Sequence, residues 1–357
     1  MDISITLNPT PAKKPENPDF GFGRSFTDHM FMMEYDPDKG GWHNARIVPF
    51  GDISLHPAAT VLHYGSEIFE GLKAYRTKNG GVQLFRPMEN IRRLNRSAER
   101  MCLPTIPEDD ALEILKKFVS IEYDWVPSFP GTTLYLRPFM FGNDHSLGVH
   151  TVKNVTYVLI ASLASSYFKE GLNPVKIMIE TEDVRAVRGG TGEAKCGGNY
   201  GASTRAGRRA ARRGYSQVLW LDGVERKYVE EVGAMNVMFR IDDEIVTPML
   251  DGSILPGITR KSCVELLKSE GYTVNERLLS VDELLDAMKN GRLKEAWGCG
   301  TAAVISPIGE FCYKDEIYVI NNGKIGEVSQ HLYDTLTGIQ RGDVEDRFNW
   351  TMPVKKG

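Results

Sequence analysis

The sequence has 357 residues, 41% of them hydrophobic and 25% charged, with a formal net charge of −4. That length can bury a sizeable core and favours about two domains, while the mildly acidic balance gives no basis for a nucleic-acid or anionic-membrane partner. Five widely spaced cysteines (Cys102, Cys196, Cys263, Cys299, Cys312) form no CxxC or Cys/His cluster, so neither a zinc site nor a disulfide framework is indicated, and free thiols point to a reducing, cytoplasmic compartment. The N-terminus lacks an apolar signal-peptide core, and no run of about 18 apolar residues offers a membrane span.

Residues 1–20 are rich in Pro, Asn and Lys and are expected to form a loose arm. Asn79-Gly80-Gly81 followed by QLFR predicts a hairpin. ENIRRLNRSAERM (89–101) places Ile91, Leu94 and Met101 at helical spacing, and PEDDALEILKKFVSIEYDWV (107–126) opens a second helix with Pro107 and acids. TTLYLRPFMFG (132–142) reads as a strand in which Pro138 hints at an edge or a bulge, and VTYVLIASL (155–163) as a buried strand. The turn-rich segment 164–174 is the expected linker between a domain spanning 1–163 and one spanning 175–357. In the second half come the strand VKIMIET, a Gly-rich stretch, the helix ASTRAGRRAARRG and the strand QVLWLDG. A hairpin is expected about Asp242-Asp243. One helix closes at Gly271, and a second starts with the capping box Ser280/Glu283 and ends at Gly291. IYVINNGKIG is expected to form a last hairpin. Strands and helices mix without strict alternation, which makes the fold class α+β. The Arg-rich helix face (Arg205, Arg208, Arg209, Arg212, Arg213) reads as solvated, and His29, His43, His56 and His63 as structural or surface residues.

The chemistry centres on GGTGEAKCGGNYG (189–201), where Lys195 sits on an unusually bare backbone. A phosphate-loop lysine needs GxxxxGK[ST], but Ala194 precedes Lys195 and Cys196 follows it, so that motif fails. Three readings remain: a general base in a cofactor-free enzyme, a Schiff-base lysine, and a surface loop that happens to hold a lysine. A Schiff-base lysine needs room for a flat ring, which neighbouring glycines provide. Pyridoxal phosphate makes further demands. Its phosphate wants a helix N-terminus, offered by Gly257, Ile258 and Thr259 in ILPGITRKSCVELL. Its pyridine nitrogen wants a carboxylate, offered by Glu230 or Glu231, and its ring hydroxyl a donor, offered by Tyr200.

LHYGSEIFEGLKAYR (62–76), LFRPMENIRRLNRSAERM (84–101), LYLRPFMFG (134–142), GGTGEAKCGGNYG, EEVGAMNV, ILPGITR and WGCGTAAVISPIG together resemble the branched-chain amino-acid aminotransferases, a fold-type IV pyridoxal 5′-phosphate family, from roughly Phe22 to the C-terminal end. The resemblance implies a two-domain fold, with a smaller N-terminal α/β domain and a larger C-terminal domain carrying Lys195. It implies pyridoxal 5′-phosphate on Lys195 as the catalytic residue. Arg93, Ile258, Thr259 and Thr301 would hold the phosphate, Tyr200 the ring hydroxyl and Glu231 the pyridine nitrogen, with Arg92 facing solvent. It implies a substrate pocket of Phe22, Tyr64, Phe69, Tyr135, Arg137, Tyr167, Ala234 and Ala302, and a homodimer. The reaction it implies is ping-pong transfer of an amino group from leucine, isoleucine or valine to 2-oxoglutarate, giving glutamate. An apolar aromatic wall suits the branched side chains, and Arg137 beside Tyr135 suits the extra carboxylate of glutamate.

Some animal members carry a CxxC redox pair where this chain has Ala303, Val304, Ile305 and Ser306, so no such switch is expected, and Cys196 reads as a small buried residue. D-amino-acid aminotransferase and aminodeoxychorismate lyase are the alternatives on the same fold. A cofactor-free binding module is the alternative of another class.

Overall fold

The computed structural model describes residues 1–165 and 172–357, which fall into two compact units. The first holds residues 1–165, 194–197 and 338–357, and the second 172–193 and 198–337. This differs from the expected division. Residues 194–197 belong to the first unit, because Phe69 N–H donates to the Lys195 carbonyl (2.9 Å) and Lys195 N–H to Ser97 Oγ (2.9 Å). The C-terminal strand Thr351–Val354 also returns to the first unit, pairing antiparallel with Val82–Phe85. The N-terminal unit is therefore the larger of the two. Tyr167 and most of the expected linker lie outside the described residues.

The first unit is built on one sheet with the strand order Ser4–Ile5, Gly41–Pro49, His29–Asp36, Val155–Ala164, Thr133–Gly142, Leu72–Arg76, Val82–Phe85, Thr351–Val354. Phe22–Phe26 adds to Val155–Ala164, and Glu67–Phe69 to Thr133–Gly142. Helices Pro87–Arg100 and Glu108–Ile121 bury Ile91, Leu94, Ala98, Ile114, Leu115 and Phe118 in the same core as Phe31, Ile47, Leu84, Leu136 and Leu159. Arg92 is exposed and pairs with Glu108, as the helical register requires. The N-terminal arm is tied down rather than loose. Ser4 and Ile5 pair with Arg46 and Ile47, Asn8 N–H donates to His29 Nε2 and Ala12 N–H to Asp28.

Pro138 lies neither at an edge nor in a bulge. It pairs with Leu159 on one side. On the other, Glu70 N–H donates to the Pro138 carbonyl at 2.7 Å. Proline has no N–H to return the second bond of that pair. The facing chain is interrupted there: Phe69 faces Phe139 and Leu72 faces Leu136, with Glu70 and Gly71 between two short strands.

The second unit contains a ring of six strands. Val229–Val232, Gln217–Leu221, Val175–Ile179, Val304–Tyr313, Leu293–Gly300 and Met235–Ile241 pair in that order, and Met235–Ile241 pairs back onto Val229–Val232. Glu244–Pro248, Thr273–Arg277 and Glu316–Val319 extend it. Its core includes Ile177, Leu219, Val237, Phe239 and Phe311, covered by Val281, Leu284 and Ala287 of helix Val281–Lys289, whose cap Ser280 Oγ accepts from Glu283 N–H. Parallel and antiparallel pairs coexist with helices, so the fold class is mixed α+β.

Two local expectations shift. The Arg-rich helix runs Gly197–Arg212, starting at the glycines after Lys195 rather than at Ala202. Its arginines are partly ion-paired: Arg205 with Asp183, Arg209 with Glu180, Glu182 and Asp183. The last hairpin forms between Val304–Tyr313 and Glu316–Val319 about Lys314-Asp315. Asn321–Gly323 is instead a single 3₁₀ turn with Asn322 at positive φ.

Candidate active site

Lys195 is fixed through its own main chain, held by Phe69 on one side and Ser97 on the other. Two residues later Gly197 N–H donates to the Glu67 carboxylate. A Cβ on Gly197 would lie 2.2 Å from Glu67 Oε1, so the close approach needs glycine. The side chain of Lys195 runs over Phe69, with Nζ 4.8 Å from the ring centroid. The Arg137 guanidinium lies 4.7 Å from the same centroid. Arg137 also donates to Tyr135 Oη at 3.0 Å, and Phe22 meets the Tyr135 ring edge-on at 4.9 Å. Aromatic faces attract cations, so Phe69 organises two of them at once. The break at Glu70-Gly71 makes room for Tyr135, since a Cβ on Gly71 would lie 2.0 Å from Tyr135 Oη.

Arg93 projects from helix Pro87–Arg100 onto Glu70. Its Nε reaches Oε1 at 2.7 Å and its Nη2 reaches Oε2 at 2.9 Å, with both side chains buried. Asn90 Nδ2 adds a bond to Glu70 Oε2 at 2.8 Å. Burial alone would raise the Glu70 carboxyl. The Arg93 charge and hydrogen bonds, aided by the Lys195 charge and Asn90, outweigh it and hold Glu70 below the usual carboxylate range. Glu67 goes the other way, raised by burial against its Gly197 bond and the Arg137 charge.

In the second unit, strand Val229–Val232 turns its two successive glutamates to opposite faces. Glu231 Oε1 accepts from Leu255 N–H at 2.8 Å and lies 3.3 Å from Arg185 Nη2. Glu231 faces Asn236 across the hairpin, and Asn236 faces Cys299 on the next strand. Asn236 Nδ2 donates to the Leu255 carbonyl at 2.9 Å, and a Cβ on Gly257 would lie 1.9 Å from Asn236 Oδ1. Asn236 thus sets the approach of the 255–257 segment to helix Ile258–Ser269. Gly257 caps that helix with no side-chain bond, so the first-turn N–H groups have no acceptor within the helix and suit an anion. Thr259 is buried in this turn. Thr301 and Ala302 form the half-buried turn after Leu293–Gly300, close in register to Cys299.

A family model for class IV amino-transferases matches residues 67–311. Branched-chain-amino-acid aminotransferase 2 of Bacillus subtilis (strain 168) is 53% identical over 352 residues, which is 99% of this chain and 97% of that protein. The chain belongs to the branched-chain-amino-acid aminotransferase family. Solved structures of this aminotransferase family share the fold. The Escherichia coli branched-chain amino acid aminotransferase superposes with a TM-score of 0.74 at 26% identity, over 91% of this chain and 98% of that one. A T.th. branched-chain amino acid aminotransferase complexed with N-(5′-phosphopyridoxyl)-L-glutamate gives 0.74 at 25% identity, over 91% and 97%.

In this aminotransferase chain, Lys195, Phe69, Arg137, Tyr135 and Phe22 form one connected cluster within the first unit, flanked by the Arg93–Glu70 pair. Glu231, Ile258 and Thr259 are joined in the second unit through Leu255 and Asn236. Tyr200 is half-buried in the first turn of helix Gly197–Arg212, and Ala234 is exposed at its hairpin tip. Tyr64 is exposed, and its hydroxyl donates to the Leu147 carbonyl. Glu70, Glu67, Asn90, Ser97 and Arg185 escaped the sequence reading. Glu70 alone left a trace: a carboxylate inside the apolar run EIFEGL has to find a cation when it is buried.

Proposed function

We propose that this chain is a branched-chain amino-acid aminotransferase in which Lys195 carries the chemistry on pyridoxal 5′-phosphate. The observation that carries the reading is Lys195 itself, fixed by main-chain bonds and laid over Phe69 next to the Arg93–Glu70 pair, in a chain so similar along its length to Bacillus subtilis branched-chain-amino-acid aminotransferase 2. The donor set fits the cofactor. The uncapped helix start at Ile258-Thr259 suits a phosphate, and Glu231, backed by Leu255 N–H, suits a protonated ring nitrogen; Arg93 and Thr301 would add phosphate contacts, as the family resemblance implies. Tyr200 would meet the ring hydroxyl.

When bound, the cofactor supplies a carbonyl that takes up the amino group and a conjugated ring that accepts the electron pair left when the substrate Cα–H bond breaks. Lys195 Nζ moves the proton at the substrate Cα, in either direction. Glu231 holds the proton on the ring nitrogen. Leucine, isoleucine or valine gives its amino group and leaves as the 2-oxo acid, and 2-oxoglutarate takes the group and leaves as glutamate. Phe22, Phe69, Tyr64 and Tyr135 supply aromatic surface to the branched side chain, and Arg137 with the Tyr135 hydroxyl meets the side-chain carboxylate of glutamate. The amide groups around Thr301 and Ala302 hold the substrate α-carboxylate. A homodimer and a cytoplasmic location belong to the same reading. All five cysteines are free, which agrees with a reducing compartment.

The test is the visible spectrum of protein loaded with pyridoxal phosphate. The absorbance is expected to bleach with L-leucine and to return with 2-oxoglutarate, and Lys195→Ala to do neither at a comparable rate. A response to D-amino acids alone would move the chain to the D-amino-acid branch of the fold, and no response to any amino acid would remove the reading.

A further inference from the structure

Glu230, the neighbour of Glu231 on strand Val229–Val232, has no place in the chemistry above. It is 4% exposed, and one of its oxygens, Oε2, is buried without a hydrogen-bond partner among the described residues. The other, Oε1, lies 2.5 Å from Ser253 Oγ. The same hydroxyl oxygen lies 2.8 Å from Asp251 Oδ1. A serine hydroxyl has one proton to give. Two carboxylates at hydrogen-bond distance from it compete for that proton, unless one of the two is a neutral acid that donates to Ser253 Oγ.

The surroundings decide which. Asp251 is partly exposed, accepts from Ser253 N–H at 3.2 Å and pairs with Arg188 Nε at 3.3 Å, so it has a cation and a donor of its own. Among the described residues Glu230 has no direct ion pair, and one of its oxygens is unpartnered. A lone oxygen is far cheaper to bury on a neutral acid than on a carboxylate. Burial above all, with the charges of Asp251 and Glu231, pushes the Glu230 carboxyl up to about 7, against the Ser253 bond and the Arg185 charge. With a proton on Glu230 below about pH 7, the bonds would run from Glu230 to Ser253 Oγ and on to Asp251.

Ser253 also faces the other way. Its main-chain carbonyl accepts from Arg185 Nη2, and the same nitrogen lies 3.3 Å from Glu231 Oε1. We propose that Glu230 is a positioning residue: as a neutral acid it donates to Ser253 and so keeps Arg185 seated on Glu231, the carboxylate assigned to the ring nitrogen. Ionised, Glu230 loses its donor, repels Asp251 through Ser253 and adds a second negative charge next to Glu231. The groups facing Glu230 are Ser253, Asp251, Arg185 and Glu231. The inference rests on the reading above only for the role of Glu231, because the proton on Glu230 belongs to the protein without cofactor.

Two readouts test it. Infrared difference spectra of the cofactor-free protein between pH 5.5 and 9 should show a protonated-acid carbonyl band that disappears near pH 7 and is missing in E230Q. Pyridoxal phosphate affinity should then separate the variants. E230Q, whose amide can donate as the neutral acid does, should stay within about twofold of wild type at pH 6, and E230A and S253A should each lose about tenfold. Wild-type affinity relative to E230Q should fall as the pH rises from 6 to 9. If E230A fails to fold, S253A against E230Q carries the comparison. A band unchanged in E230Q, or equal affinities for E230Q, E230A and S253A, overturns the proposal. If no protein, wild type included, takes up pyridoxal phosphate while the band behaves as expected, the cofactor reading has failed, and the role given to Glu231 goes with it.

Discussion

Arg93 and Glu70 form a bidentate ion pair inside the first unit, each side chain less than a twentieth exposed. The pair sits where the chain breaks opposite Pro138, beside the residue whose N–H holds the Lys195 carbonyl. It commits the Nε–Nη2 edge of the guanidinium to the protein.

Removing Glu70 strands a buried cation. Glu70→Ala is expected to cost about 3–5 kcal/mol in urea denaturation, whereas Glu70→Leu combined with Arg93→Met should cost less than either single change. A double variant worse than both singles would contradict this account. The double variant should still bind pyridoxal phosphate poorly, since Arg93 is gone.

Arg137 shares Phe69 with Lys195 and bonds the Tyr135 hydroxyl. Arg137→Met should lower kcat/KM for 2-oxoglutarate by roughly 30-fold or more, as expected when one partner of a buried charged contact is lost. The half-reaction with leucine should change by less than about tenfold, because an apolar side chain makes no use of the charge. Stopped-flow measurement of the two half-reactions separates these effects, and equal losses in both would assign Arg137 a purely structural role.

Gly71 has no room for a side chain beneath Tyr135. Gly71→Ala should destabilise by about 1–3 kcal/mol through overpacking and displace the Tyr135–Arg137 bond. Its effect on 2-oxoglutarate should therefore be non-additive with Tyr135→Phe, which a double-mutant cycle would read. Additive effects would separate Gly71 from the Arg137 site.

Lys73, buried opposite Tyr135 in the same sheet, has its pKa lowered to about 7, mainly by burial and then by the Arg341 charge. The unfolded chain holds this proton up to near the ordinary lysine value of 10.5. Between these values the unfolded state binds more protons, so the group's contribution to stability rises with pH. Relative to Lys73→Met, wild type should gain melting temperature from pH 7 to pH 9. A parallel pair of curves would show that Lys73 is charged in the folded protein.

Local signals were the legible part of this chain. The hairpin about Asn79–Gly81, the turn at Asp242-Asp243 and the capped helix Val281–Lys289 each depend on a few adjacent residues, and they form as expected. The motif residues Lys195, Phe69, Tyr135 and Arg137 do converge. Distant pairings were hidden. Glu70 meets Arg93 from 23 residues away, the C-terminal strand closes the first sheet, and residues 194–197 join the first unit through Phe69 and Ser97. Pro138 misled for a chemical reason: its missing donor falls opposite a break in the facing strand, so a central position is tolerated. Nor could spacing show that Cys263 and Cys299, distant in the chain, are both buried in the second unit.

The ring of six strands in the second unit has no end from which pairing can slide. A residue inserted into any one stave cannot be absorbed at an edge; the whole circle must re-index or open. Glu231 and Asn236 sit on adjacent staves, and Cys299 on the next, so re-indexing would turn all three at once. Length changes in the staves should therefore be all-or-none. Substitution can change what the staves carry, while the indexing of the ring stays constant.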